Sequence, residues 1–234
     1  MTRIVSASLG TAVWRAGLAD PYLHWKRSKS AWEMAVSWEA QRNTASGLPP
    51  EVSRALASHP DFADPQLLLG VVEHRVVLDT PKTPSQNDLW AVLLTASGQV
   101  SVAVEAKAGE DFDRPLREWL RSDGEGKDRR LRFLCDQLGL NEPPSEALRY
   151  QLFHRTASAL LEAKRWRISR ALMLVQSFSE SKTSWQDFQA FAALLDLDVA
   201  RNAVAGPRGT SGLSLYLCWV DSPKATDDLA AAAV

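Results

Sequence analysis

Apolar positions change period along this chain, and the predicted elements follow those changes. Residues 28–43 (SKSAWEMAVSWEAQRN) place Ala31, Trp32, Ala35 and Trp38 on one helical stripe, with Ser28 or Ser30 able to cap it. Gly47-Leu-Pro-Pro50 stops that helix, and a short one is predicted at 50–58, ended by Pro60. The middle of the chain turns strand-like. Residues 67–79 (LLLGVVEHRVVLD) are aliphatic and β-branched, with Gly70 as a candidate bulge, and 88–95 (DLWAVLLT) and 99–107 (QVSVAVEAK) flank hairpin chemistry at Thr95-Ala-Ser-Gly98. Beyond them 113–138 reads as one or two helices around a charged stretch at 121–128. Ser145 is placed to cap a helix running to about Lys164, with Leu148, Leu152, Ala159 and Leu160 inward. A buried strand at 171–178, a helix at 184–195 and a strand at 213–220 complete the pattern. The order predicts a mixed α/β domain over 1–220, one central mixed sheet flanked by helices, with a helical insertion at about 113–145 and a frayed, flexible tail at 221–234.

Composition narrows the classes. At 234 residues the chain is about one and a half times the ~150-residue domain prior. Its 45% hydrophobic and 24% charged residues exclude a disordered, collagen-like or disulfide-scaffold protein. The net charge of -1 gives no global cationic field, so a nucleic-acid partner would have to meet a local patch. Cys135 and Cys218 show no metal-ligand spacing and are expected reduced and buried. No run of ~18 apolar residues exists, and Ile4 to Trp14, broken by Ser6, Ser8, Gly10 and Thr11, is a poor signal-peptide core. The expected setting is the cytoplasm, without a membrane partner. The nine tryptophans fall mostly in apolar periodic segments and read as core anchors.

The chemistry concentrates at Asp88 and Glu105-Ala-Lys107. Side chains two apart on a strand share a face, so Glu105 and Lys107 point the same way. A two-residue turn makes paired positions sum to 195 and sets Asp88 across from Lys107. A four-residue turn gives 193 and sets Asp88 across from Glu105. Both even-loop registers bring two carboxylates and an ammonium to one spot, whereas a three-residue turn without a bulge would not. Two carboxylates suit Mg²⁺ or Mn²⁺, whose octahedron waters and a substrate phosphate complete. Such an ion activates water, and an adjacent lysine stabilises the pentavalent state, which is the chemistry of phosphodiester hydrolysis. The tripeptide alone is weak, since Glu125–Lys127, Glu162–Lys164 and Glu180–Lys182 repeat it. Those lie in loop or helical settings, and positions i and i+2 of a helix diverge by about 200°.

Asp88…Glu105-x-Lys107 at a hairpin's end, after a helix carrying acids, resembles the PD-(D/E)XK nuclease superfamily with its restriction-endonuclease-like fold. Gln86-Asn87 replace the proline of the nominal signature. The chain further resembles an uncharacterised bacterial family of predicted members, through PSQNDLW (84–90), VAVEAKAGEDF (102–112), RLRFLCDQLGL (130–140), LRYQLFHRTASALLEA (148–163) and LMLVQSFS (172–179), over roughly 25–220. The resemblance implies Asp88 and Glu105 as metal ligands and Lys107 as the catalytic lysine. It implies a first-helix acid for which Glu39 fits best, the alternative being a plain surface or capped acid. Glu73 is either a fourth acidic site residue or part of a solvent face. The resemblance also implies a helix glutamine near the metal, here Gln151. With Arg149, His154 and Arg155 it either supports the site or forms a buried polar network between helix and sheet. Over 114–170, 13 Lys/Arg face 8 Asp/Glu. Lys127, Arg129, Arg130 and Arg132 are the candidate nucleic-acid contacts, and Lys164, Arg165, Arg167 and Arg170 read as charges in a helix's last turn.

The leading expectation is a Mg²⁺-dependent nuclease acting on DNA rather than RNA, in defence or DNA processing, with a homodimer or partner protein setting its target. The alternative is a nuclease-fold protein that binds or scaffolds without turnover. A hydrolase of small phosphate esters is a distant third. No P-loop, GxGxxG or GxSxG is present, which disfavours nucleotide triphosphatase, dinucleotide dehydrogenase and serine hydrolase.

Overall fold

The computed structural model describes residues 10–18, 20–121, 124–179 and 184–233. The Glu180–Lys182 pair and the first part of the Ile4 to Trp14 stretch lie outside the described residues. Helices α1 (Thr11–Gly17), α2 (Pro21–His24), α3 (Ser30–Glu39) and α4 (Pro50–Leu56) precede strands β1 (Gln66–Val76), β2 (Ser85–Thr95) and β3 (Gly98–Lys107). Helices α5 (Leu116–Leu120), α6 (Gly124–Leu138) and α7 (Tyr150–Trp166) lead to β4 (Arg170–Ser177), α8 (Trp185–Leu194), β5 (Ala203–Thr210), β6 (Leu213–Asp221) and α9 (Asp227–Ala232).

The six strands form one mixed sheet in the order β1-β2-β3-β4-β6-β5. β1, β2 and β3 are antiparallel neighbours, while β3, β4 and β6 run parallel, with α7 crossing between β3 and β4. Period-two alternation sorts the side chains to two faces. Trp90, Val92, Ala103, Met173 and Val175 pack against Leu152, Phe153 and Leu160 of α7 and against Phe188 and Phe191 of α8. Leu89, Ala91, Val102, Val104, Leu172 and Leu174 pack against Met34, Ala35 and Trp38 of α3 and Val52 and Leu56 of α4. The mixed α/β architecture expected from the sequence is present.

Several boundaries differ from expectation. α7 begins at Tyr150 with Arg149 as its cap residue, not at Ser145. Residues 146–150 pair their backbones with 114–117 instead, through Leu116 N to Leu148 O (2.8 Å), Arg117 N to Glu146 O (2.9 Å) and Tyr150 N to Arg114 O (3.2 Å). β5 went unpredicted because Gly206-Pro207-Arg208-Gly209 lacks strand composition. It is an edge strand whose ladder skips between Ala205 and Arg208, the setting in which sheets tolerate proline. The stripe on α3 is less one-sided than expected: Glu33, Ser37 and Glu39 are buried with the apolar residues, and Trp32 is only partly covered. The terminal segment, expected as an unburied tail, carries α9, capped by Thr226, and Asp227 pairs with Arg27. Both cysteines are free and buried. Among the described residues no helix is long and apolar enough to cross a membrane.

Candidate active site

The hairpin register determines what the site contains. Thr95 pairs Gly98 and Leu89 pairs Val104, so positions sum to 193; the ladder ends there, and the next positions on the two strands are Asp88 and Glu105. The loop itself is shorter than the four residues assumed for that register, because only Ala96 and Ser97 lie outside the pairing and Gly98, at φ 105°, makes the turn. On the other side of β2, Val72 pairs Leu89 and His74 pairs Asn87, and the ladder skips the intervening Glu73 and Asp88. Glu73, Asp88 and Glu105, on three adjacent strands, are close enough to act on one another's ionisation, and together they form an acid row. Glu73 has φ 52°, a left-handed conformation in mid-strand that breaks the regular alternation and re-aims its side chain.

Glu105 is buried and saturated. Its Oε1 accepts from Lys107 Nζ at 2.9 Å and from Gln151 Nε2 at 2.7 Å, and its Oε2 accepts from Arg155 Nε. Burial opposes its ionisation, but Arg155 and then Lys107 overcome that and hold the carboxyl at about 2. Lys107 is buried as well. Its ammonium also reaches Gln151 Oε1 at 3.0 Å and lies 5.0 Å from the centre of the Phe112 ring. Gln151 Oε1 accepts a further bond from Asp113 N at 3.2 Å, which ties the start of α7 to the segment after β3.

Asp88 differs. Its Oδ2 accepts from Ala106 N at 2.8 Å, and no hydrogen bond to Oδ1 occurs among the described residues. Burial and the neighbouring Glu105 push its carboxyl up to about 8, against the pull of Arg155. Glu73 is shifted upward too, chiefly by burial, although Gln86 Nε2 donates to its Oε2 at 2.6 Å. Asp88, Glu73, Gln86 and Arg155 line a cleft of about 420 Å³ whose lining also includes Leu18, His24 and Lys29.

Arg155 organises the rest. Its Nη1 donates to Ser85 Oγ at 3.1 Å and approaches His154 Nδ1 at 3.4 Å. A guanidinium only donates, so Nδ1 is the accepting nitrogen and the Ser85 hydroxyl, 2.8 Å away, donates to it. Burial, and then Arg155, push His154 well below its usual range, which leaves a neutral imidazole in a supporting place.

The remaining predicted residues lie elsewhere. Glu39 belongs to the opposite helical layer, where its carboxylate accepts from Trp14 Nε1 at 2.7 Å; the cleft meets α3 nine residues earlier, at Ser30. Arg149 binds Asp187 of α8 at 2.9 Å and lies 3.7 Å from Asp111, so it fastens helices and does not join the acid row. Arg130, expected as a nucleic-acid contact, is buried against Asp79, Thr83 and Tyr150, a structural tie between α6 and the loop before β2. Arg129 pairs with the same Asp79, Lys127 donates to Trp119 O, and Arg132 is exposed. Sequence reasoning missed Ser85, Gln86, His24 and Lys29. Ser85 and Gln86 lie inside the motif segment PSQNDLW, and His24 and Lys29 in a short acid-free basic run, both usable signals.

Mg²⁺ and Mn²⁺ ask for one or two hard carboxylate ligands and fill their shells with water. Among the described residues no group of three or more His, Cys, Asp or Glu converges to hold a metal unaided. The neighbouring pair Asp88 and Glu105 still fits such an ion: Asp88 has an oxygen to spare and a carboxyl that a nearby cation would stabilise in its charged form. The chain matches the family described as Domain of unknown function (DUF6946) over residues 7–224, and it belongs to that family. No curated protein and no solved structure matches it.

Proposed function

We propose that this member of the DUF6946 family is a divalent-metal-dependent phosphodiesterase acting on nucleic acid, DNA before RNA, of the PD-(D/E)XK kind. The single observation that carries the reading is Asp88 just past the last rung of the β2–β3 ladder, its carboxylate on Ala106 N beside Glu105, with the Lys107 ammonium 2.9 Å from that glutamate. A helix, three antiparallel strands, a crossover helix and a parallel fourth strand accompany it, an arrangement consistent with a restriction-endonuclease-like core. The two free, buried cysteines suit a reducing compartment such as the cytoplasm.

Asp88 and Glu105 would hold Mg²⁺ or Mn²⁺. When bound, the ion supplies a Lewis acid for the phosphate oxygens and lowers the pKa of water. Lys107, fixed between Glu105 Oε1 and Gln151 Oε1, sets a positive charge where negative charge grows on the phosphate in the transition state. Gln151 holds the lysine and Glu105 in register with each other. Arg155 keeps Glu105 ionised at any working pH, and Glu73 adds a further acid to the cleft floor.

One observation favours the second reading, a nuclease-like fold that binds without turnover: both Glu105 oxygens are already engaged, by Lys107, Gln151 and Arg155. Two measurements decide between them. Calorimetric titration with Mn²⁺ should show one site in the wild type and none in Asp88→Asn. Incubation of plasmid, single-stranded DNA and RNA with Mg²⁺ should show cleavage lost in Lys107→Ala. Absence of Mn²⁺ binding and of cleavage in the wild type would leave the second reading.

A further inference from the structure

Of the acid row Glu73 and Asp88 line the cleft, with Glu110 and Arg155, and the remaining lining brings in basic groups from the segment before α3. These are His24 and Lys29, and they belong to the run His24-Trp25-Lys26-Arg27-Ser28-Lys29-Ser30, which contains no acid. Arg27 is already neutralised by Asp227 and lies over the Trp32 ring at 5.2 Å. Lys26 and Lys29 are exposed, and neither forms an ion pair among the described residues. One turn earlier stands Tyr22, 84% exposed and the most exposed large apolar side chain among the described residues, next to Leu23 at 56%.

The loop is braced. Its turns are closed by Lys26 N to His24 O and Lys29 N to Lys26 O, both 3.1 Å, and Ser28 sits at φ 66°. The buried carboxylate of Glu33 fixes that strained residue by accepting Ser28 N at 2.9 Å. Its other oxygen accepts Ala225 N at 2.7 Å, from the segment leading into α9. A buried acid and the segment leading into α9 thus brace the loop whose His24 and Lys29 line the cleft, with Lys26 and the exposed Tyr22 beside them in the chain.

We propose that this α2–α3 loop is the single-strand-binding wall of the site: Lys26 and Lys29, with His24, hold sugar–phosphate, and Tyr22 stacks a base. Aromatic side chains interleaved with cations grip unpaired strands without reading sequence, since every base has a stackable face. The charge arrangement fits such a ligand. Lys26 and Lys29 attract a polyanion toward the cleft over distances shorter than the screening length. The 127–132 segment offers less, because Arg130 is buried and Arg129 is paired. This inference names the substrate class of the nuclease reading and rests on it.

The test is fluorescence anisotropy of a labelled oligothymidylate with the full chain in EDTA, where binding is read apart from cleavage. Lys26→Glu/Lys29→Glu should weaken binding by about tenfold and reduce the slope of log K against log salt by about 1.4, two single-strand phosphates' worth. Tyr22→Ala should weaken it by about tenfold and Tyr22→Phe should restore it. All three positions are exposed, and a glutamate at 29 begins α3, where the helix dipole favours it, so the variants should fold. Wild-type-like binding by both the double variant and Tyr22→Ala overturns the proposal, as does loss of binding in Arg129→Glu/Arg132→Glu with Lys26→Glu/Lys29→Glu unaffected, or failure of the wild type to bind any single strand. The nuclease reading is scored separately: cleavage by the wild type with normal binding by the loop variants sinks the loop alone, and loop-dependent binding without cleavage sinks the nuclease alone.

Discussion

Two buried polar clusters sit at the same end of the sheet, on its two faces. On the α3 face, Gln176 is wholly buried and accepts from Trp38 Nε1 at 2.8 Å while donating to Ser37 Oγ at 3.2 Å and Ser222 Oγ at 3.0 Å. On the α7 face, in the neighbouring strand, Glu105 is nearly as buried and accepts three donors. The first cluster is neutral and closed. The second holds three acids against Lys107 and Arg155, and it keeps an unbonded oxygen on Asp88 beside a cleft. Buried polarity by itself thus indicates nothing about chemistry. Ionisable groups and an open valence separate the candidate site from a fastening.

The comparison can be broken by mutation. The largest effect is expected from Arg155→Met, which leaves Glu105 buried with its principal counter-charge gone. Chemical denaturation should show a loss of about 3–5 kcal/mol, partly restored by Mn²⁺ if that ion occupies the site. Gln176→Leu should cost about 1–3 kcal/mol, since it strands the Trp38 indole N–H and two hydroxyls, and should leave Mn²⁺ binding unchanged. A shared effect of both variants on Mn²⁺ binding would erase the distinction drawn between the two faces.

Asp88 sharpens the contrast through pH. Its carboxyl is raised from 3.8 to about 8 in the folded protein, so the native state keeps a proton that the unfolded chain releases near pH 4. The associated stability is present below pH 4 and is lost as pH rises through about 8. In EDTA, the melting temperature should fall across that window, and Asp88→Asn should flatten the slope. The smallest expected effect concerns Cys218, buried on the α3 face with its thiol pushed up to about 12 by burial. It should resist Ellman's reagent in the native protein and react only after denaturation.

Local pattern carried much of the fold. The aliphatic and β-branched runs 67–79, 88–95 and 99–107 reflect strands covered by helices, and the three correspond to β1, β2 and β3. β5 was illegible because an edge strand tolerates Gly206, Pro207 and Gly209, residues that carry no strand signal. The start of α7 was misjudged because a capping preference at Ser145 is weaker than backbone pairing with 114–117, which no local rule foresees.

For the site, Glu105 and Lys107 were legible as sharing a face because side-chain direction on a strand has a period of two, and Asp88 could be placed with them only on the condition that the hairpin turn has an even number of residues. Tertiary structure alone decided that positions sum to 193, that Glu73 joins the row, that Arg130 and Glu39 are fastened elsewhere, and that a basic loop some sixty residues earlier in the chain lines the same cleft. Those outcomes depend on which elements pack against which, a matter of long-range burial and charge pairing that spacing along the chain does not encode.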